Sequence, residues 1–222
     1  MPRHTLRLFL IASIVLLVLG CGQRRVPTLE REELFTIQYG KMEDQLALFM
    51  TGSAVNRRTH LFMEGGLFWI ASGYGNKIMQ FTSYGDLISL FYDPEENPPP
   101  ILLQESADPE QVANRRAFEF PFNMVGDIAE TRDGVLLVED QVPSRVAEFD
   151  EELGVSLNRI VVRFDRDGTQ LDYLGQEGIG GTYLPYVRRI DTTVHDEVVV
   201  TTTAPPRTIV FWYRPDGTIL RR

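Results

Sequence analysis

Three segments of the chain match one another when they are aligned on a glycine, and this repeat limits the possible folds more than any other feature of the sequence. The segments are Lys77–Gly85, Ile160–Gly168 and Ile209–Gly217. Four residues before each glycine stands an aromatic residue: Phe81, Phe164 and Tyr213. Six residues before each glycine stands an apolar residue: Met79, Val162 and Phe211. Because side chains alternate along a strand, the repeat predicts three strands that each bury one face.

Each of these strands is predicted to belong to a set of four. A second strand follows each aligned glycine, and Asp-Gly at two of the three turns is a strong hairpin signal. The second strands are predicted at Leu87–Tyr92, Thr169–Leu174 and Thr218–Arg222. Another strand pair precedes each hairpin, with strands predicted at Leu67–Ser72, Gly134–Asp140 and Glu197–Thr203. The sequence therefore predicts an all-β body over residues 57–222, with units at about 57–95, 120–176 and 182–222.

Short motifs follow one another in a fixed order through the second unit. They are Gly126-Asp127-Ile128-Ala129, Asp133-Gly134, Val138-Glu139-Asp140, Arg159-Ile160-Val161, Asp167-Gly168 and Tyr173-Leu174-Gly175. This order resembles a blade of the NHL-type β-propellers. The resemblance is good over residues 120–222, weaker over 57–95 and absent before about residue 50. It implies a fold of four-stranded propeller blades, and it supplies no catalytic residue.

Three blades are fewer than a closed propeller uses. Propellers have four to eight blades, and an open set leaves sheet edges unpaired. Either residues 33–50 supply further strands, or the sequence is a shortened version of a longer propeller, which we favour. We expect Leu34–Tyr39 to form a strand, and the segment 33–56 to cap an exposed edge. The acidic insertion Pro143–Asn158 is expected to form a loop or a short helix.

The first twenty residues have the three parts of an export signal. Arg3, His4 and Arg7 make a basic start, Leu8–Leu19 is apolar apart from Ser13, and a small residue precedes Cys21. The apolar run is shorter than the ~20 residues that a membrane-spanning helix needs. We therefore predict a signal peptide at residues 1–20. A plain secretory signal and an uncleaved anchor remain alternatives.

The last four residues of this region, Val18-Leu19-Gly20-Cys21, resemble a bacterial lipobox, although Leu19 replaces the usual Ala or Ser. The resemblance implies cleavage before Cys21, a lipid on its sulfur, and acylation of the new amino terminus with a fatty acid such as palmitate. Residues 21–32 would then be a lipidated tether. Together with the repeats, the lipobox makes the whole chain resemble spirochaete-type lipoproteins with propeller repeats.

The net charge and the cysteine count limit the possible partners and covalent links of the protein. The net charge of −9 argues against a nucleic-acid partner, which needs clustered Lys and Arg. The one cysteine excludes an intramolecular disulfide. We expect an extracytoplasmic protein that is held on the inner or the outer membrane by its lipid, with envelope proteins as partners.

Candidate catalytic chemistry is sparse. We predict no catalytic residue, no cofactor and no metal ligand, since three histidines and a lipidated cysteine do not make a zinc site. The carboxylates Asp127, Glu139 and Asp140 form an alternative set that would hold a divalent cation in a propeller channel. The main functional hypothesis is therefore a membrane-anchored, non-enzymatic binding or scaffold module. The alternative is a divalent-cation-dependent, lactonase-like hydrolase.

Overall fold

The structure, a computed structural model, describes residues 32–51, 54–56, 58–103, 115–143, 145 and 147–222. The signal peptide predicted at residues 1–20, the lipid site Cys21 and the tether up to residue 31 lie outside the described residues. Every regular element in the described part is a β-strand, so the all-β prediction is confirmed. That part contains no helix with the length and apolar character needed to cross a membrane.

The strands, in chain order, are β1 (Phe49–Thr51), β2 (Ala54–Asn56), β3 (Thr59–Glu64), β4 (Leu67–Ser72), β5 (Lys77–Phe81), β6 (Leu87–Tyr92), β7 (Arg116–Glu119), β8 (Ile128–Glu130), β9 (Leu136–Gln141), β10 (Glu148–Asp150), β11 (Val155–Leu157), β12 (Arg159–Phe164), β13 (Gln170–Leu174), β14 (Tyr186–Thr192), β15 (Val198–Ala204), β16 (Arg207–Tyr213) and β17 (Ile219–Arg221). The strands predicted in the three repeat units are present, with ends that shift by at most two residues. The strands predicted at Leu67–Ser72 and Leu87–Tyr92 have the predicted bounds.

Three larger sheets follow one another along the chain. The first has the order β3-β4-β5-β6-β7, the second β13-β12-β9-β8, and the third β14-β15-β16-β17. Neighbouring strands in them are antiparallel except β6 and β7, which run parallel. The strand β7 was not predicted, because its parallel pairing to β6 depends on a long connection and not on a local turn.

The three aligned glycines form the turns that the repeat predicts. Gly85, Gly168 and Gly217 have φ angles of 86°, 77° and 89°. Each amide donates to the carbonyl three residues earlier, at distances of 2.9 to 3.1 Å. Glycine is favoured at such positive φ angles because it has no Cβ, so these positions fix where each hairpin reverses.

The repeat positions of the second and third sheets lie in the cores between the sheets, whereas Met79 and Phe81 of the first sheet lie in the core that Phe35 covers. All six aromatic and apolar repeat residues are at most 2% exposed. Phe164 of the second sheet lies in one cluster with Trp69 and Phe91 of the first. Tyr213 of the third sheet lies in one cluster with Val161 of the second. The sheets therefore stack face to face in chain order, and the second sheet buries both of its faces, not the single face that the repeat predicts.

The segment before the first sheet differs from its prediction. Leu34–Tyr39 is not a strand, and only its last residue makes an isolated bridge, with Leu46. Instead, Phe35 packs its ring 5.5 Å from that of Phe68 and 5.6 Å from that of Phe81. Because its apolar side chains dock on a sheet face, the segment covers that face of the first sheet and does not pair with an edge.

The acidic insertion Pro143–Asn158 also differs from the expected loop or short helix. It contains an antiparallel hairpin of β10 and β11. Gly154 turns the chain with a φ of 65°, and the carboxylate of Asp150 accepts the amide of Leu153 at 2.9 Å. A positive φ and a side-chain cap at the turn favour a hairpin over a helix here.

Candidate ligand-binding cleft

The first strands of the three sheets meet at one place. The strand β8 lies against both β3 and β14. Beside this contact opens a cleft of about 320 Å³, which we term the junction cleft. Its walls include residues from all three sheets: Arg58, His60, Tyr74, Glu139, Tyr186 and Arg188.

Asp127, immediately before β8, connects the three sheets at this junction. Its Oδ1 lies 3.2 Å from Nδ1 of His60 in β3. Its Oδ2 accepts the amide of Ile190 in β14 at 2.7 Å. Its own amide donates to Oε2 of Glu139 in β9 at 2.9 Å. Both carboxylate oxygens of Asp127 are therefore used in holding the sheets together.

Glu139 lies deeper than Asp127 and is only 4% exposed. The Glu139 side chain can pack against Gly126 because that residue has no Cβ. A Cβ there would lie 2.0 Å from Oε2 of Glu139, which is a clash. Burial raises the pKa of the Glu139 carboxyl above its ordinary value, and the amide of Asp127 and the charge of Arg159 offset only part of that rise. Glu139 is thus a buried acceptor at the back of the cleft.

Arg159 stands behind the cleft wall. It is 9% exposed, and its Nη1 lies 3.3 Å from Oε1 of Glu139. That approach is an ion pair by distance only, because Nη1 and Nε have no hydrogen-bond partner among the described residues. Its guanidinium carbon lies 5.6 Å from the centre of the Tyr186 ring. A buried cation with unused donors therefore stands directly behind two residues that line the cleft.

Asp140 does not join this site. It follows Glu139 in β9, and consecutive strand residues point to opposite faces. Its Oδ1 accepts the amides of Met124 at 2.7 Å and Asn123 at 3.1 Å. Across the described residues, no three His, Cys, Asp or Glu side chains are placed to hold a metal ion. Asp127, Glu139 and Asp140 therefore do not form the cation site that the hydrolase alternative needs.

Arg188 reaches the cleft through an irregularity in its strand. The pairing of β14 with β15 shifts between Val187 and Arg189, which leaves Arg188 as the extra residue of a β-bulge. Val187 and Ile190 both lie in the core towards the second sheet, on either side of the bulge. A bulge redirects a side chain that regular alternation would place elsewhere, and here it adds a guanidinium to the cleft wall.

Four of these residues were missed in the sequence: Arg58, His60, Arg159 and Arg188. The histidine was weighed only as a metal ligand. A local signal did exist at Arg188-Arg189, where two charged residues in a row stand between the apolar residues Val187 and Ile190 and break a period of two. Of the predicted site residues, Asp127 and Glu139 belong to the junction and Asp140 does not. Cys21 lies outside the described part, and its lipidation stays a prediction.

Comparison with known proteins gives only distant similarities. No family model matches the chain, and no curated protein matches it. A solved protein of unknown function from Bacteroides caccae is 11% identical over 72% of this chain and 64% of its own length, with a TM-score of 0.25. A gluconolactonase from Xanthomonas campestris is 10% identical over 74% of each chain, with a TM-score of 0.21. The chain thus spans under two thirds of the first protein, and neither likeness assigns it an activity.

Proposed function

We propose that this protein is a lipid-anchored, extracytoplasmic binding module whose propeller-like blades hold a ligand in the junction cleft. The observation that carries this proposal is the convergence of polar side chains from three sheets on one cleft. The three stacked sheets, one of five strands and two of four, each have a left-handed glycine at the same repeat position and support the propeller-like arrangement. The Val18–Cys21 quartet supports the lipid anchor.

The state of the carboxylates favours binding over hydrolysis. Asp127 uses both oxygens on His60 and the amide of Ile190. Oε2 of Glu139 accepts the amide of Asp127, and its Oε1 faces the guanidinium of Arg159 at 3.3 Å. A general base or a cation site needs carboxylate lone pairs that are free to meet water or metal. These carboxylates instead hold neighbouring strands together beside the cleft. The cleft itself is lined by arginine and tyrosine side chains.

Replacing Cys21 tests the anchor. We expect Cys21→Ala to abolish labelling by a palmitate analogue and to release the protein from membranes, because no other cysteine exists to take the lipid. Ser13→Ala is the matched control, since it alters the same signal region and leaves the lipobox intact. Labelling that survives in Cys21→Ala would refute the anchor.

Chemical crosslinking in intact cell envelopes tests the binding role. We expect the wild-type protein to capture at least one reproducible envelope partner. Glu139→Gln and Gly126→Ala, which disturb the cleft, should reduce this capture more than Phe149→Ala, which alters an exposed side chain of the β10–β11 hairpin. Capture that is reproducibly absent from the wild type would contradict the binding role.

A further inference from the structure

We propose that the junction cleft recognises an oxyanion, a carboxylate or a phosphate group on a small molecule, which Arg58 and Arg188 hold jointly. This inference rests on the proposed function, since it names the ligand class of the same cleft. The two arginines come from different sheets, Arg58 from the residue before β3 and Arg188 from the bulge in β14. Both line the cleft wall.

The charge of the cleft is opposite to that of the chain. The protein carries a net charge of −9, yet the cleft is lined by the guanidinium groups of Arg58 and Arg188 and by one carboxylate, that of Glu139. A third guanidinium, that of Arg159, lies 3.3 Å from Glu139. A local excess of positive charge in an acidic protein favours an anionic ligand. It also repels the cations that the rest of the surface attracts.

The two outer arginines are available to a ligand. Among the described residues, no carboxylate lies within 4.0 Å of either guanidinium, whereas Arg189, next along the strand, is paired with Asp191 at 2.7 Å. Arg188 instead lies 5.9 Å from the centre of the Tyr186 ring. A guanidinium presents donors in a planar fork that matches carboxylate and phosphate oxygens. Guanidinium groups that have no carboxylate partner and line a cleft are suited to binding such oxygens.

Arg159 provides an independent indication of an anion. A buried guanidinium with two unpaired donor atoms is unfavourable unless its charge is balanced. The single carboxylate beside it, Glu139, is itself buried, and burial raises the pKa of Glu139. An anion in the cleft would add negative charge in front of Glu139 and Tyr186, the two residues that Arg159 contacts from behind.

The size and the rim of the cleft indicate a small ligand. About 320 Å³ is the low end of the volume range for small-molecule sites. Tyr74 and Tyr186 stand at the rim and are 43% and 53% exposed. Their rings offer flat apolar surfaces for the carbon skeleton that carries the anionic group. The cleft therefore fits a compact acid better than an extended polymer.

Calorimetric titration of the purified full chain in non-ionic detergent tests the inference. Citrate is the carboxylate probe, inorganic phosphate the phosphate probe and glucose the neutral probe. We expect at least one anion to bind and glucose not to, and the tighter anion identifies the chemistry. Arg58→Gln and Arg188→Gln should each weaken binding about tenfold, the effect of losing one charge-assisted hydrogen bond. Arg188→Lys keeps the positive charge but lacks the planar set of guanidinium donors. It should weaken anion binding less than Arg188→Gln does.

The matched control is Arg214→Gln, which removes the same charge at the turn between β16 and β17 and should leave anion affinity within twofold. The melting temperature of each variant without a probe checks that it folds. Absence of binding for both anions, or equal weakening by all three Gln variants, would overturn the inference. A lipid-labelled protein that captures a partner yet binds neither anion would contradict this inference alone. A protein that binds citrate without lipid or partner would contradict the proposed function alone.

Discussion

Single charged residues in this protein are buried where they support the fold, and Lys77 is the clearest case. Its side chain is 1% exposed, and Nζ donates to the carbonyl oxygens of Met42 and Lys41. Burial lowers the pKa of Lys77 to about 8, and the nearby acids Asp44 and Glu43 offset part of that shift. Lys77 thus connects the segment before β1 to the first sheet by hydrogen bonds. The cost is that its charged amino group is removed from water.

The lowered pKa of Lys77 makes stability depend on alkaline pH. Between about pH 8 and the unfolded value of 10.5, the unfolded chain holds a proton that the native protein has released. The unfolding free energy contributed by this residue therefore rises with pH in that window and is lost as the pH falls through 8. We expect the difference in unfolding free energy between the wild type and Lys77→Met to increase from pH 8 to 10.5.

Urea unfolding at several pH values measures this difference. The contributions of groups that titrate in both proteins cancel in it. The carbonyl groups left unpaired in Lys77→Met shift the difference by a constant and do not change its slope. A difference that stays flat or falls across the window would show that Lys77 keeps an ordinary pKa.

At the scale of elements, glycines at the hairpin turns have two roles that can be separated by experiment. Gly168 has a φ of 77°, and a Cβ there would lie 2.2 Å from Cδ1 of Phe118. Gly154 has a φ of 65°, and a Cβ there would meet nothing within 4 Å. Both glycines serve a turn, but only Gly168 also lets a neighbouring element pack closely.

Alanine at these two glycines should therefore destabilise the protein to different degrees. We expect Gly154→Ala to cost about 1 to 2 kcal/mol, the penalty for a left-handed residue with a Cβ. Gly168→Ala should cost about 1 to 3 kcal/mol more, because the Phe118 ring must leave its packing against Phe91. Chemical denaturation gives both values. Equal losses would mean that the turn alone requires glycine at position 168.

Elements were predictable where the signal is local. The strands β4 and β6 follow from alternation and from a turn glycine within a few residues. The conformation of Leu34–Tyr39 was not predictable, because its apolar residues suit a strand equally well and only the docking of Phe35 on Phe68 and Phe81 decides otherwise. The strand β7 depends on a partner reached over a long connection, so nothing near it in the sequence specifies the pairing.

For the whole molecule, the junction cleft could not be predicted from the sequence. His60, Asp127 and Ile190 meet there, although more than 60 residues separate each from the next. From the sequence, Asp127, Glu139 and Asp140 form one alternative cation-binding set, although side chains at consecutive strand positions such as 139 and 140 point to opposite faces. The cationic character of the cleft appears only when three sheets contribute to one wall.

The stack also has two different ends. The outer face of the first sheet is covered by Phe35, Ile37 and Leu46. On the third sheet, Val210 is 44% exposed and Tyr186 is 53% exposed. The junction cleft lies beside the first strands and depends on all three sheets keeping their relative positions. A ligand bound there would contact each sheet and stabilise the stack as a unit.

Hydrogen–deuterium exchange of the full chain, with and without citrate, tests most directly whether one cleft is assembled from three sheets and binds an anion. We expect citrate to slow exchange together in three separate segments, around residues 58–61, 126–140 and 186–190, and to leave the turn at 214–218 unchanged. Protection confined to one sheet, or no protection at a citrate concentration that saturates calorimetric binding, would contradict a ligand cleft at the junction.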